Sequence, residues 1–199
     1  GIGSFTNKKT GEKVEFENPP LNTREGIPLR LMVRTSGIST HDIVRGNVPF
    51  KEQILAISHH MMLNLVKHYL GSTQFDVGLP DNTCVIAAQN IQMFGLENVL
   101  RAYMAKTTTS TSLYQHYMKG VREFCGHSLP ENLVPNGPLP YVMDTPSTKS
   151  DIHDESVSEQ ELILRGICTK EQYAEIKHRS LLAFKFVSDY LSQRGIILV

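Results

Sequence analysis

An excess of charge of either sign is missing from this chain. Twenty Lys and Arg face twenty Asp and Glu across 199 residues, and no basic run occurs anywhere. Charge therefore gives no support to a nucleic acid or an anionic membrane as partner. Phosphate recognition would have to rest on a few local Arg, Lys and backbone amides. Long apolar runs are missing too, since none approaches the length of about 20 residues that a membrane-spanning helix needs. The start, Gly-Ile-Gly-Ser-Phe-Thr-Asn-Lys-Lys, holds no signal-peptide hydrophobic region. Cys84, Cys125 and Cys168 are odd in number and contain no C-x-x-C pair. That speaks against a disulfide framework and for a reducing, cytoplasmic home in which each thiol is a small apolar filler. Metal-ligand spacing is absent as well. His59 and His60 would point about 100° apart on a helix, and H-x-x-x-H does not occur around them. The pairs His41-Asp42 and His153-Asp154 lack ligand spacing in the same way, which sets aside a metal-dependent hydrolase.

What is present is an ordinary apolar fraction of 40%, enough for one large domain or two small lobes with an ample core. Short extended pieces are expected near residues 13–16 and 29–34, followed by a turn-rich exit over 34–42. From Pro49 to Gly71 the pattern turns helical, with Ile54, Ile57, Met61, Met62, Leu65 and Tyr69 as an inward stripe. Residues 83–89 and 96–104 read as two strands around a turn at Phe94-Gly95. Arg101 sits in the second of them. A buried arginine is costly unless paired, so it either snorkels to solvent or holds an anion in a bidentate fork. The hydroxyl run at 107–112 precedes an apolar helical pattern, as an N-cap region would. Ser158-Glu-Gln-Glu161 and Thr169-Lys-Glu-Gln172 are capping boxes. The second opens a long helix to Arg194 with Tyr173, Ile176, Leu182, Phe186 and Tyr190 inward, and Ile196 to Val199 begins a strand. Early strands and late helices make the class α+β.

Residues 139–158 concentrate the chemistry. Pro140 and Pro146 remove backbone donors and fix φ, which predicts an ordered, extended loop. Asp144, Ser147, Thr148, Lys149, Asp151, His153 and Asp154 crowd into it, and no apolar core stripe is expected there. Such a segment is either a solvated surface loop or the lining of a site.

Thr145-Pro-Ser-Thr-Lys149 followed by His153-Asp154-Glu155 resembles the TPSTK…HDE signature of the SAICAR synthetase (phosphoribosylaminoimidazole-succinocarboxamide synthase) family. Leu96-Glu-Asn-Val-Leu-Arg-Ala-Tyr103 is similar to its V-E-x-V-V-R-G-Y strand, with Glu97 and Arg101 at equivalent places. Cys125-Gly126 and Leu129-Pro130 match its C-G-x-x-L-P hairpin. Ser39 and Asp42 fall on the Ser and Asp of its D-R-I-S-A-x-D segment, although Ser36-Gly37 replaces the leading Asp-Arg. Lys51 falls on the lysine of its G-K-G loop. The T-G-S turn is longer here and lacks its glycine, so either Ser110 or Ser112 could be the family's serine.

The resemblance implies an ATP- and Mg²⁺-dependent ligase of purine biosynthesis joining L-aspartate to carboxyaminoimidazole ribotide. It implies an antiparallel nucleotide lobe, placed at 1–95 with the first helix, and a larger α/β lobe at 96–199 carrying the substrate site. The family continues with D-T-K-x-E-x-G where this sequence stops, so the expected fold is a SAICAR-synthase-like one truncated at both ends, with its metal ligands unassigned. Lys149 and Asp154 are the implied catalytic pair. Arg101, Ser110, Ser112, Ser39, Asp42, Lys51, Ser147, Thr148 and His153 are implied substrate contacts, and Glu97 a nucleotide contact. A homodimer is suggested by the family's bacterial members. A binding protein that holds ribotide without catalysis is the competing expectation.

Overall fold

The computed structural model describes residues 2–6, 13–17, 26, 28–40, 43–72, 74–75, 85–89, 91–149 and 154–199. Asp42 and His153 lie outside them, as does Cys84. The chain divides into two units, Gly1–Gln92 and Met93–Val199.

In the first unit, β1 (Ile2–Thr6) pairs with β2 (Lys13–Glu17), and β3 (Leu29–Val33) precedes a hairpin of β4 (Gly37–Thr40) and β5 (Ile43–Asn47). The hairpin corrects the turn-rich exit expected at 34–42. Ser39 and Thr40 pair antiparallel with Val44 and Ile43, and a register shift sets Ile38 opposite Gly46. Helix α1 (Lys51–Leu70) follows and ends at Gly71, whose φ of 68° only glycine adopts cheaply. Then β6 (Gln74–Phe75) and β7 (Val85–Gln89) complete a sheet of order β3-β7-β6. The helix is where the periodicity promised, but its stripe is not inward. Ile54 is 62% exposed and Met61 61%, and Ala56 is the one buried hydrophobic among this unit's described side chains. Leu65 and Tyr69, toward its end, are half-buried.

The second unit starts with β8 (Leu96–Glu97) and β9 (Leu100–Tyr103), which are two strands rather than one. They do not form a hairpin with β7 either. Six residues, 90–95, separate β8 from β7, and 91–95 are exposed. Each strand finds a distant partner instead. β8 pairs with β13 (Ser147–Thr148), and β9 pairs with β12 (Pro138–Asp144). Between them lie α2 (Leu113–Met118) and the hairpin β10 (Glu123–Phe124) and β11 (His127–Ser128). Cys125 and Gly126 turn that hairpin with φ of 51° and 81°, the paired positive values of a type I′ turn. After β13 come α3 (Glu159–Leu164) and α4 (Lys170–Ser192), and both expected capping boxes close reciprocally.

Segment 139–158 thus opens with the long strand β12, and its described residues do supply core. Leu139 and Met143 join Met104, Leu113, Tyr117, Phe124 and Leu129 in one cluster, with Met143 fully buried. Val157 joins Leu162, Cys168 and Tyr173 in a second. The expectation of no apolar stripe there missed that Leu139 and Met143 share a face once the segment is extended. On α4 the inward row runs through Tyr173 and Ala183, and Leu182 points out at 42% exposure. Residues 196–199 form no strand; no described strand pairs with them, and Ile197 is exposed. Among the described residues, no helix is long and apolar enough to cross a membrane.

Candidate functional site

The pleat of β9 fixes one wall of a cavity of about 320 Å³ in the second unit. Odd-numbered residues Val99, Arg101, Tyr103 and Ala105 line it, and the same alternation carries on through Thr107, Thr109 and Thr111 of the hydroxyl run. Gln115 Nε2 on α2 donates to the Thr107 carbonyl at 2.7 Å, and the Lys106 amide donates to Asn136 Oδ1 at 2.9 Å. The run is therefore tied at both sides rather than left as loose surface.

At one end of the cavity stands Arg101, half-buried, with its Nε donating to Thr145 Oγ1 at 3.0 Å. Thr145 is itself buried, and its hydroxyl and amide both donate to the Val99 carbonyl, at 3.1 and 2.7 Å. Burial lowers the guanidinium's pKa from its ordinary value, because the charged form has lost water. No carboxylate among the described residues pairs with it. A desolvated cation with a fixed Nε and free terminal nitrogens is built to take an oxyanion.

The other end is acidic. Glu97 and Asp154 line the cavity, and Lys149 bridges them, with Nζ at 3.0 Å from the Glu97 carboxylate and 2.7 Å from Asp154. Hydrogen bonds donated to Asp154, then to Glu97, push the Lys149 pKa up. All three side chains are exposed, so their mutual attraction is screened and modest. The lining thus combines a guanidinium, two carboxylates and several hydroxyls.

The other expected residues distribute as follows. Ser147 lines the cavity, while Thr148 is buried and its hydroxyl accepts from the Glu155 amide at 3.2 Å, stapling the loop. Ser112 lines the cavity and caps α2 by accepting from the Gln115 amide at 3.2 Å. Ser110 is exposed and outside the lining. Ser39 and Lys51 belong to the first unit, where Lys51 Nζ donates to the Gly37 carbonyl. Thr145, Tyr103, Thr107, Thr109, Thr111 and Ser156, which the sequence reading did not name as substrate contacts, also line the cavity. Continuing the strand's alternation past Tyr103 was the signal that would have found the threonines.

Burial makes the described thiols poor nucleophiles: it pushes Cys125 up to about 12 and raises Cys168.

The family model of SAICAR synthetase matches residues 24–199. The chain belongs to the SAICAR synthetase family. It is 32% identical over 169 residues to the chloroplastic phosphoribosylaminoimidazole-succinocarboxamide synthase of Vigna aconitifolia, covering 85% of this chain and 48% of that protein. Its fold is that of SAICAR synthetases of known structure. The Saccharomyces cerevisiae SAICAR synthase complexed with SAICAR superposes with a TM-score of 0.69 at 17% identity, covering 91% of this chain and 66% of that one. A type-2 SAICAR synthetase in complex with ADP gives 0.66 at 18% identity, covering 86% and 65%. The chain spans about half the length of the curated relatives it matches.

Proposed function

We propose that this chain carries the ribotide-binding side of an ATP-dependent ligase that joins L-aspartate to carboxyaminoimidazole ribotide, giving SAICAR in purine biosynthesis. The observation that carries the reading is Arg101, a half-buried guanidinium with no described counter-carboxylate, facing a hydroxyl-lined cavity in a member of this family. The ribotide phosphate or carboxylate is the oxyanion it would take, with Ser112 and the threonine wall as further donors. Ser110, outside the lining, would need the run to rearrange.

The chemistry asks for a leaving group. A carboxylate oxygen leaves poorly, so the γ-phosphoryl of ATP is transferred to it, releasing ADP. The aspartate amine then attacks the acyl carbon, phosphate departs and the amine gives up a proton. Negative charge grows on phosphoryl and acyl oxygens in both steps, and cations aimed at them lower the barrier. Lys149 is the cation at the acidic end, and Asp154 beside it is placed to orient or deprotonate the amine. Glu97 restrains Lys149 from the other side, and its assignment to the nucleotide rests on the resemblance. Ser39, Asp42, Lys51, Ser147, Thr148 and His153 enter the reading as substrate contacts on the same basis.

Mg²⁺ belongs to the reading through the family, but the described residues do not fit it. They hold no cluster of three or more metal-ligating side chains, and the two carboxylates at the cavity already share Lys149. No step is therefore routed through the metal. A homodimer is carried as part of the proposal.

The test is ADP release by the purified chain with ATP, Mg²⁺, L-aspartate and the ribotide, alongside Asp154→Asn. Turnover that needs both ribotide and aspartate and is lost in the variant is the expected result. Ribotide that raises the melting temperature without turnover would move the reading to a binder without catalysis. Neither turnover nor binding would sink both.

A further inference from the structure

Asp144 is the most heavily engaged buried charge in the second unit, and the ligase chemistry above does not use it. It ends β12, and the Asp144–Leu100 pair in the sheet register puts its side chain on the face opposite Arg101. There Tyr173 on α4 donates its hydroxyl to Oδ2 at 2.9 Å, and Lys177 on α4 approaches Oδ1 at 2.9 Å. His127, from β11, lies 3.2 Å from Oδ1 through Nε2 and 2.8 Å from the Asp144 carbonyl. Tyr141 OH sits 3.0 Å from the other ring nitrogen of that histidine. Tyr173 is fully buried. Burial alone would raise the Asp144 pKa, but the hydrogen bonds from Lys177 and Tyr173 outweigh it and hold the carboxyl below its usual range. The residue is an anion near neutrality and ties β12, the hairpin and α4 together.

The next residue turns this anchor toward the cavity. Thr145 points to the other face, where both its amide and its hydroxyl grip the Val99 carbonyl and its Oγ1 receives Arg101 Nε. The chain of contacts is continuous from α4 to the guanidinium. We propose that Asp144 is a positioning residue, which locks the end of β12 so that Thr145 holds Arg101 with its terminal nitrogens aimed into the cavity. The inference rests on the reading of that cavity as the seat of a sugar phosphate.

Ribose 5-phosphate is the probe, titrated calorimetrically into the full chain. Asp144→Asn keeps the shape and removes the charge that organises Lys177, Tyr173 and His127. It is expected to weaken binding by ~5- to 20-fold, the size of a lost charge-assisted contact. Thr145→Val, which keeps the volume and deletes the hydroxyl, is expected to do the same, and it carries the test if Asp144→Asn fails to fold. The decisive comparison is with Arg101→Lys, which keeps a cation but has no Nε–H for Thr145 to hold. In that background Asp144→Asn should change affinity by less than about two-fold, since the step it acts through is gone. In turnover, KM for the ribotide should rise while KM for ATP stays put. A merely structural role would lower the folded fraction and leave the affinity of what remains untouched. Wild-type affinity in folded Asp144→Asn, or an equal loss in the Arg101→Lys background, would overturn the inference while leaving the cavity's assignment intact. Failure of the wild-type chain to bind the sugar phosphate would instead remove the assignment itself.

Discussion

The two units of this chain treat similar sequence patterns in opposite ways. In the second, α4 and the strands around it bury their apolar positions in two clusters, and a buried carboxylate is met by three side chains from two elements. In the first, α1 also carries an apolar stripe at helical spacing, yet Ile54, Ile57 and Met61 stand exposed along it. Periodicity says that a face wants cover; it does not say that the cover is present. Among the described residues, the buried apolar clusters lie in the second unit, where the cavity lies too.

The sharpest way to break the comparison is a pair of matched truncations. Met143→Ala removes a fully buried side chain and should cost ~2–5 kcal/mol from lost transfer energy and a cavity. Met61→Ala, the same chemistry on α1, should stay within about 0.5 kcal/mol, as surface changes do. Urea midpoints of the two variants against the parent decide it. Equal losses would mean that α1 is covered in solution after all.

Acid sharpens the contrast next. The Asp144 carboxyl is held below its usual range, so the folded state binds its proton less readily than the unfolded chain does. Its stabilisation is complete above the unfolded value of about 3.9 and is lost as pH falls through the lower folded value. Asp144→Asn should be less stable by ~1–3 kcal/mol near neutrality, because the buried groups around it lose a charged acceptor. Its stability should also fall less steeply than the parent's below about pH 4. Melting temperatures followed from pH 6 to pH 3 give both readings, and parallel curves would refute the role of this carboxylate.

A smaller effect is expected at the helix starts. Ser158 and Thr169 accept from the Glu161 and Gln172 amides, so their alanine variants should each cost ~1 kcal/mol by denaturant titration. Those caps were fully legible in the sequence because a capping box is a four-residue, local pattern. Helix α1 and the Cys125-Gly126 turn were legible for the same reason, since each rests on local spacing or on a short motif. Thr145 was not. Its partners Val99 and Arg101 lie more than forty residues back, and only the β9–β12 register brings them together. The split between β8 and β9 hid in the same way, because two partner strands distant in sequence, β13 and β12, take over at Asn98-Val99. Leu182 was assigned to the wrong face of α4 since a helix of that length offers apolar residues on more than one side.

The last expected effect is close to nothing in stability, and that is its use. Lys149 touches two carboxylates, but all three side chains are open to water, where an ion pair gains little over its hydrated parts. Lys149→Met should leave the urea midpoint where it was. If Lys149 neutralises an oxyanion during phosphoryl or acyl transfer, the same change should cut turnover by two orders of magnitude or more, the scale on which a lost charge at a developing anion is felt, ~3 kcal/mol. The two measurements pull apart what the ion pair alone cannot. A lysine kept for the fold would show its loss in the midpoint, whereas one kept for chemistry shows it in the rate. Unchanged turnover in a fully stable Lys149→Met would leave the Glu97–Lys149–Asp154 bridge as a solvated contact and return the acidic end of the cavity to binding alone.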